Sequence, residues 1–504
     1  MGNTISYTTN NHTLDLGKRG EITGVQYDQK AIRYASVPYA LPPVGEYRWR
    51  KPRALPADYS YDDDQNRPFD GTEFKPTCWQ KRFSSAEVTI GEKVEYSEDC
   101  LRANIWTPVE TSERPKPARG WPVYIWFHGG WFQMGDPSQE HGMSPVELIS
   151  TGGLNAIVVV VGYRVNVLGF LSGFALLEES NGESVGNYGL WDQRAAMEWI
   201  QKYIDAFGGD ADNVTLAGRS AGSYSVHAQV LHEFRTNSIS APNARQSPFK
   251  RFFMCSNAIP AQPKTPAETQ AQYDELLDKL SIDKALSGKE QLRRLRAVSA
   301  EDLIDAIATM TNHTFRPVTD DIFLYSGMVE YHSSGTFAEE VKARKCKVLI
   351  GEVLNEETLY ATYNAPTEPT VDALRTQVQN YYAPATTDRV LENYELPSSS
   401  DLKEWKTLFG KIIADGQVRA PSRLFVDMLV KHGVDINDIW RYQIAYRLSF
   451  ITEKVAPKEF GVAHAMDKPI WNYSIVQGPG QSERKMMGEW IQDLVAFEIG
   501  RAHV

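Results

Sequence analysis

The fold is decided by one stretch of sequence, Asn213-Val-Thr-Leu-Ala-Gly-Arg-Ser-Ala-Gly222. Its first half is predicted to be a strand, its second half is a Gly-x-Ser-x-Gly sequence, and residues 224–232 are compatible with a helix. Strand, sharp turn and helix in this order form a nucleophile elbow, in which two glycines let the backbone fold tightly around a strained serine. We therefore predict that Ser220 is a nucleophile at the positive end of a helix.

Further strand patterns lie on both sides of this stretch. Residues 122–127, 156–161 and 348–351 are apolar runs without alternation, and residues 195–204 space their apolar positions like a helix. Strands of that kind are covered by helices on both faces. Residues 19–50 alternate instead, which predicts an early antiparallel region. The pattern indicates an α/β fold with a large, mostly parallel central sheet and helices on both faces.

Two long segments lack strand patterns. Residues 260–340 are charged and helical, and helical material continues through 370–435. We interpret both as helical cap insertions over the sheet. Residues 440–451 predict a late strand, and 484–500 predict a closing amphipathic helix. With no repeat or long linker in the sequence, we expect residues 1–504 to form a single domain.

The composition excludes several classes of protein. The chain has 504 residues, 42% hydrophobic and 23% charged, the balance of a globular protein with a large core. Asp and Glu number 64 against 53 Lys and Arg, so the chain lacks the excess of positive charge that is typical of proteins binding nucleic acid or anionic lipid. The strongest apolar run, 155–162, is far shorter than the about 20 residues that span a bilayer. We expect neither a nucleic-acid partner nor a transmembrane segment.

The N-terminus and the cysteines bear on location and cofactors. The first residues lack the charged start and apolar stretch of a secretory signal, which predicts a cytoplasmic protein, or a secreted one whose signal was removed before this numbering. Gly2 fits the short myristoylation pattern. Cys78, Cys100, Cys255 and Cys346 match no zinc pattern, and the last two lie at apolar runs typical of buried thiols. We expect no metal and no cofactor.

A serine hydroxyl needs a base, which is itself oriented by a carboxylate. In this kind of fold the chain order is nucleophile, acid, histidine, and of the ten histidines only His432, His464 and His503 lie late enough. His503 is the penultimate residue and His432 sits in a segment typical of a solvated helix end. His464, in a small and apolar context, is the predicted base.

The acid is expected just beyond a strand between the serine and the histidine. Glu352, Glu356 and Glu357 all follow the strand that ends at Gly351, and their positions alone do not choose among them.

The oxyanion of an acyl-transfer reaction needs backbone N–H donors. The residue after the serine, Ala221, supplies one. The loop His128-Gly-Gly-Trp-Phe132, which directly follows a predicted strand, supplies Gly130 and Trp131.

Several motifs in order now make the chain resemble a type-B carboxylesterase of the cholinesterase-like branch of α/β-hydrolases, and its Trp-containing loop resembles fungal members. The matching stretches are Ser36-Val-Pro-Tyr-Ala-Leu-Pro-Pro43, Ser97-Glu-Asp-Cys-Leu-Arg-Ala-Asn-Ile-Trp106, the His128 loop, Gly186-Asn-Tyr-Gly-Leu-Trp-Asp-Gln-Arg194, Phe207-Gly-Gly-Asp210, the Ser220 elbow and Gly461-Val-Ala-His464. The resemblance implies that Glu356, five residues after Gly351, is the acid of a Ser220–Glu356–His464 triad. It also implies a Cys78–Cys100 disulfide and the ion pairs Arg48–Glu98 and Arg164–Asp192.

The chain also departs from that family. Cholinesterases carry a glutamate before the nucleophile and a choline-stacking tryptophan in the loop closed by the first disulfide, whereas this chain has Arg219 and only Trp79 beside the cysteine. Choline esters are therefore expected to be poor substrates. The third glycine usual in the oxyanion loop is Trp131 here, which keeps the N–H but changes the acyl side of the pocket.

The resemblance implies a serine carboxylic-ester hydrolase that acts on small or medium esters through an acyl-enzyme. A dedicated secondary-metabolite esterase or lactonase, a lipase, and a non-catalytic adhesion protein are the alternatives. Adhesion members lose the serine or the histidine, and both are present here. The only partner predicted is a small-molecule ester, and the sequence leaves the oligomeric state open.

Overall fold

A computed structural model describes residues 6–81, 95–138, 144–259, 261–476 and 478–498. Gly2 and His503 lie outside these residues. The strands are β1 (Thr9–Asp15), β2 (Glu21–Tyr27), β3 (Ala31–Pro38), β4 (Ala40–Leu41), β5 (Arg53–Ala54), β6 (Phe69–Asp70), β7 (Thr77–Cys78), β8 (Tyr96–Ser97), β9 (Arg102–Pro108), β10 (Trp121–Phe127), β11 (Ile157–Val161), β12 (Gly209–Arg219), β13 (Arg251–Cys255), β14 (Lys347–Val353) and β15 (Ile439–Ile444).

The helices flank the sheet and fill the two long insertions. They are α1 (Val146–Ile149), α2 (Asn166–Phe170), α3 (Phe174–Glu179), α4 (Tyr188–Tyr203), α5 (Ala221–Thr236), α6 (Pro266–Lys279), α7 (Gly288–Ala297), α8 (Ala300–Ile307), α9 (Met328–Ser333), α10 (Thr336–Arg344), α11 (Glu356–Tyr360), α12 (Val371–Gln379), α13 (Pro384–Leu391), α14 (Leu402–Ala414), α15 (Ala420–Lys431), α16 (Lys468–Trp471) and α17 (Gln481–Glu498). A π-helical turn, Asp415–Arg419, joins α14 to α15.

One large sheet organises the molecule. Its strand order is β1-β2-β3-β9-β11-β10-β12-β13-β14-β15, and β6 pairs with β2. The pairs from β1 to β11 are antiparallel, as the alternation in the early sequence predicts, and every pair from β11 to β15 is parallel. The carboxyl ends of the parallel strands therefore meet at one edge, where ligands bind in open α/β sheets. This architecture confirms the predicted fold class.

The central strands are apolar on both faces because each face is covered. In β10, Val123, Ile125 and Phe127 face one apolar cluster, while Tyr124 and Trp126 face another. Helix α17 lies against the second cluster through Met487, Ile491, Leu494 and Phe497. A third cluster, built from α11, α12 and α14, lies inside the second insertion. The central strands do not alternate apolar and polar residues because both faces of the sheet are buried there.

Several element boundaries differ from the sequence-based ones. Strand β12 is longer than predicted, α4 begins at Tyr188, and residues 445–451 are not a strand, because the chain turns where Arg447 donates to four backbone carbonyls. In the first insertion, residues 308–327 contain no helix. That stretch turns at Asp320, whose carboxylate accepts three backbone N–H groups.

The structural supports implied by the family resemblance are present. Cys78 and Cys100 form a disulfide with their Cα atoms 5.0 Å apart. Arg48 donates to both carboxylate oxygens of Glu98, and Arg164 binds both oxygens of Asp192 at 2.7 and 2.8 Å. The remaining cysteines, Cys255 and Cys346, are buried free thiols, as predicted.

Candidate active site

The Ser220 turn links β12 to α5 in a geometry that only a Gly-x-Ser-x-Gly sequence allows. Ser220 has φ +57° and ψ −122°, and its N–H donates to the Cys255 carbonyl at 2.8 Å. A Cβ on Gly218 would lie 2.4 Å from the Gly222 backbone, and one on Gly222 would lie 2.0 Å from the Phe127 carbonyl oxygen. The serine therefore stands at the carboxyl edge of the sheet, at the N-terminus of a 16-residue helix.

A buried carboxylate and a buried imidazole lie beside this turn. His464 Nδ1 is 2.5 Å from Glu356 Oε2, and the exposed fractions of the two residues are 6% and 0%. Glu356 Oε1 also accepts from the Val353 N–H at 2.9 Å and from the Ser256 hydroxyl at 2.7 Å. Because the carboxylate accepts all three bonds, it fixes the His464 proton on Nδ1 and leaves Nε2 as the basic nitrogen.

Asn355 holds the histidine loop against the end of β14. Its N–H donates to the Val462 carbonyl at 2.9 Å, and its side-chain oxygen accepts from the Val462 N–H at 3.0 Å. Asn355 also forms an isolated parallel bridge with Ala463. The residue before Glu356 thus positions the segment that carries His464.

The other candidates from the sequence lie in different surroundings. Glu352 faces Arg423 at 3.3 Å, and Glu357 forms an ion pair with Arg419. His432 lies at the C-terminal end of α15, with Nε2 3.0 Å from the Ser333 carbonyl. Of the three carboxylates left open by the sequence, Glu356 is the one in contact with a candidate base.

The loop after β10 approaches the serine through glycine backbone. A Cβ on Gly129 would lie 3.2 Å from the Ser220 Cβ, so the loop and the elbow are in direct contact. Gly130, Trp131 and Phe132 follow with φ of +119°, +56° and +65°. Three consecutive left-handed residues reverse the chain here, a conformation that costs strain at the two non-glycine positions.

Aromatic side chains form one wall of the site. Trp131 stacks on Tyr363 with ring centroids 3.9 Å apart, and the Tyr360 ring lies 5.0 Å from the His464 ring. The Tyr360 side chain also interacts with the Ser220 side chain. Burial, reinforced by the charge of Glu356, raises the pKa of Tyr360 well above its usual value, so the phenol stays protonated.

A small cavity opens over the serine. Besides Ser220, Ala221 and Trp131, it is lined by Asn257, Arg316, Tyr360, Tyr381 and Gln417. None of these five was identified from the sequence. Tyr360 could have been found, because it lies four residues after Glu356 on the same face of α11. Arg316, Tyr381 and Gln417 come from the two insertions and carry no local motif.

The residue before the serine belongs to a buried ion pair. Arg219 Nε donates to Asp467 Oδ1 at 3.0 Å, and both side chains are almost fully buried. Burial acts to lower the pKa of Arg219, but Asp467 together with the nearby Cys255 and Tyr442 outweighs it and holds the pKa above its usual value. The elbow and the histidine loop are therefore linked by charge at the position where cholinesterases carry an acid.

The described residues offer neither a cluster of metal ligands nor a membrane-spanning helix. No group of three or more His, Cys, Asp or Glu side chains there could hold a metal ion. None of the described helices is long and apolar enough to cross a bilayer.

The fold is that of an α/β-hydrolase. Its mostly parallel sheet carries a strand, sharp turn and helix around a serine, and later loops bring a carboxylate and a histidine to the same edge. The profile of the carboxylesterase family matches residues 10–498, and the chain belongs to that family. It is a serine carboxylic-ester hydrolase.

Two fungal proteins and one solved structure show the extent of the similarity. The chain is 39% identical over 492 residues to an uncharacterised esterase/lipase of Schizosaccharomyces pombe, covering 95% of this chain and 87% of that protein. It is 35% identical over 511 residues to a carboxylic ester hydrolase of Gibberella moniliformis, covering 98% and 90%. A PNB esterase structure shares the fold, with a TM-score of 0.71 and 23% identity over 97% of this chain and 91% of that one.

Proposed function

We propose that Ser220, His464 and Glu356 form the catalytic triad of this esterase, acting through an acyl-enzyme. The observation that carries the proposal is the buried contact of 2.5 Å between His464 Nδ1 and Glu356 Oε2 beside the Ser220 turn. His464 Nε2 accepts the Ser220 proton as the hydroxyl attacks the ester carbonyl, and then returns it to the leaving alcohol. In the second half of the reaction, water attacks the acyl-enzyme with the same proton transfers through His464. The carboxylic acid is released and the Ser220 hydroxyl is restored.

Three backbone N–H donors stabilise the negative charge that develops on the carbonyl oxygen. The amides of Gly130, Trp131 and Ala221 belong to the loop that contacts the elbow and to the first residue of α5. Each such donor contributes about 2.7–4 kcal/mol to transition-state stabilisation in related chemistry. The dipole of α5 acts in the same direction.

The two insertions act as caps that set the size of the substrate. Arg316 comes from residues 260–340, and Tyr381 and Gln417 come from residues 370–435, and all three line the cavity over Ser220. The small cavity and the indole of Trp131 favour small or medium acyl groups. Choline esters are expected to be poor substrates, because Arg219, paired with Asp467, replaces the glutamate that precedes the serine in cholinesterases, and the choline-stacking tryptophan is missing from its usual position.

Ser220→Ala tests the proposal directly. We expect its turnover of p-nitrophenyl acetate to fall by several orders of magnitude, with the unfolding temperature little changed. A fluorophosphonate probe should add its mass to the tryptic peptide that contains Ser220 and leave the variant unlabelled. Ser240→Ala, which removes an exposed hydroxyl, is the matched control and should behave like the unmodified enzyme. Near-normal turnover in Ser220→Ala would overturn the triad.

A further inference from the structure

A second, larger cavity adjoins the one over Ser220. This outer cavity is lined by both insertions. It shares Arg316, Tyr381 and Gln417 with the inner cavity over the serine. Arg316 therefore borders both the space over the serine and the outer cavity.

Arg316 is a cation without a counter-ion at the boundary of the two cavities. Its Nη2 donates to the Gln417 side-chain oxygen at 2.8 Å, and its guanidinium lies 5.0 Å from the Tyr381 ring and 5.8 Å from the Tyr224 ring. Within the described ranges, no carboxylate lies within ion-pair distance of it. The remaining N–H groups of its planar fork match the geometry of a carboxylate.

Lys264 adds a second positive charge to the outer cavity. Its ammonium donates to the Gln379 carbonyl at 2.6 Å, and it too has no ion-pair partner among the residues that the structure covers. Burial and, to a smaller extent, the charge of Arg316 lower the pKa of Lys264 to about 8 against the opposing charge of Glu268. Two partly desolvated cations in one cavity are unfavourable unless an anion joins them.

We propose that the outer cavity is a subsite for a carboxylate on the ester substrate, bound by Arg316 with support from Lys264. The proposal rests on the proposed function, because it places the ester carbonyl at Ser220. It assigns the substrate class as esters that carry a carboxylate a few atoms from the scissile bond. The tyrosines and Gln417 hold the guanidinium in place, so little ordering remains to be done when the anion binds.

Two matched pairs of esters test this on the acyl side and on the alcohol side. Mono-4-nitrophenyl glutarate is compared with 4-nitrophenyl 5-methylhexanoate, which has the same shape without the charge. The acetyl ester of 4-hydroxybenzoate is compared with that of 4-hydroxybenzamide. We expect kcat/KM to favour the anionic member at least tenfold in one pair, and Arg316→Met to reduce that ratio at least tenfold.

The controls separate a charge effect from damage to the fold. Arg316→Lys should retain part of the ratio, and Lys264→Met should lower it by a smaller factor. Arg293→Met removes an equal charge from an exposed position on α7 and should leave the ratio unchanged. On the unmodified enzyme, glutarate should inhibit p-nitrophenyl acetate turnover competitively, and glutaramide should not.

The outcomes distinguish this subsite from the proposed function. If neutral esters are hydrolysed but neither pair shows a preference for the anion, the subsite is refuted and the esterase proposal stands. If Arg316→Met slows both members of each pair equally, the arginine is structural and the subsite is again refuted. If none of the four esters reacts, the triad proposal fails, and the subsite is then decided by whether glutarate raises the unfolding temperature of the unmodified enzyme but not of Arg316→Met.

Discussion

Replacing Glu356 with glutamine changes which nitrogen of His464 carries the ring proton. Oε1 of Glu356 accepts from the Val353 N–H and the Ser256 hydroxyl, while Oε2 faces His464 Nδ1. A glutamine that keeps its oxygen towards Val353 turns its NH2 group towards Nδ1. The imidazole must then accept at Nδ1 and carry its proton on Nε2, where it is unable to take the proton of Ser220.

The opposite orientation of the amide does not rescue the enzyme. It would point the NH2 group at the Val353 N–H and leave that buried donor unsatisfied, at a cost of about 1–3 kcal/mol. The unproductive tautomer is therefore favoured by roughly 5-fold to 150-fold. Glutamine also lacks the negative charge that stabilises the imidazolium during attack. Together these effects predict a loss of about 10³–10⁴ in kcat, as in triads that lose the charge but keep the shape, which corresponds to about 4–5.5 kcal/mol of barrier.

The measurement is kcat for p-nitrophenyl acetate at pH 7.5, alongside thermal unfolding to verify the fold. Glu357→Gln and Glu352→Gln are matched controls, because both carboxylates lie within four residues of Glu356 and pair with arginines, Arg419 and Arg423, rather than with His464. Both variants should retain kcat within about threefold, because each carboxylate binds an arginine and not His464. The reasoning is refuted if Glu356→Gln keeps more than a tenth of the kcat, or if Glu357→Gln is the impaired variant.

Three further predictions concern stability and specificity. Asp467→Asn leaves the buried Arg219 cation without a counter-ion and should lower the free energy of unfolding in urea by about 3 kcal/mol; a loss under 1 kcal/mol would contradict this. Burial lowers the pKa of His332 to about 4, below its unfolded value of about 6.5, so stability should fall with acidification through that window. His332→Gln should remove up to about 3 kcal/mol of the loss between pH 7 and 4, and an unchanged pH dependence would refute it. Trp131→Gly removes the indole stacked on Tyr363 and should shift the preference among p-nitrophenyl esters towards longer acyl chains, whereas Trp131→Phe should keep the original profile.

The strand, sharp turn and helix around Ser220 could be predicted from the sequence because they depend on local geometry. Gly218 and Gly222 are demanded by contacts within a few residues of Ser220 and with the adjacent strand, and such contacts leave a short readable motif. The choice of acid was harder, because it depends on where β14 ends and α11 begins. Strand β14 continues to Val353, two residues beyond the predicted end, and α11 starts at Glu356 itself. Successive helical residues are about 100° apart, so Glu356 turns inwards while Glu357 turns to the surface.

The residues that surround the substrate could not be predicted in the same way. Arg316 lies in residues 308–327, which the charge pattern assigned to helix and which fold as an irregular segment between α8 and α9. Its partner Gln417 is 101 positions away in the chain. Contacts across such distances are set by how the two insertions pack on each other, and neither composition nor periodicity carries that information.

The π-helical turn Asp415–Arg419 is a place where the substrate preference could change during evolution while the fold stays the same. Such a turn corresponds to one extra residue within an otherwise regular helix. Helices α14 and α15 keep their own buried faces on either side, and Gln417, within the turn, lines the cavity over the serine. Gly416 leaves room for the Tyr382 hydroxyl, which would lie 2.3 Å from any Cβ there. A single codon gained or lost at this turn could therefore exchange the side chain presented to the substrate, giving the enzyme a new preference without a new scaffold.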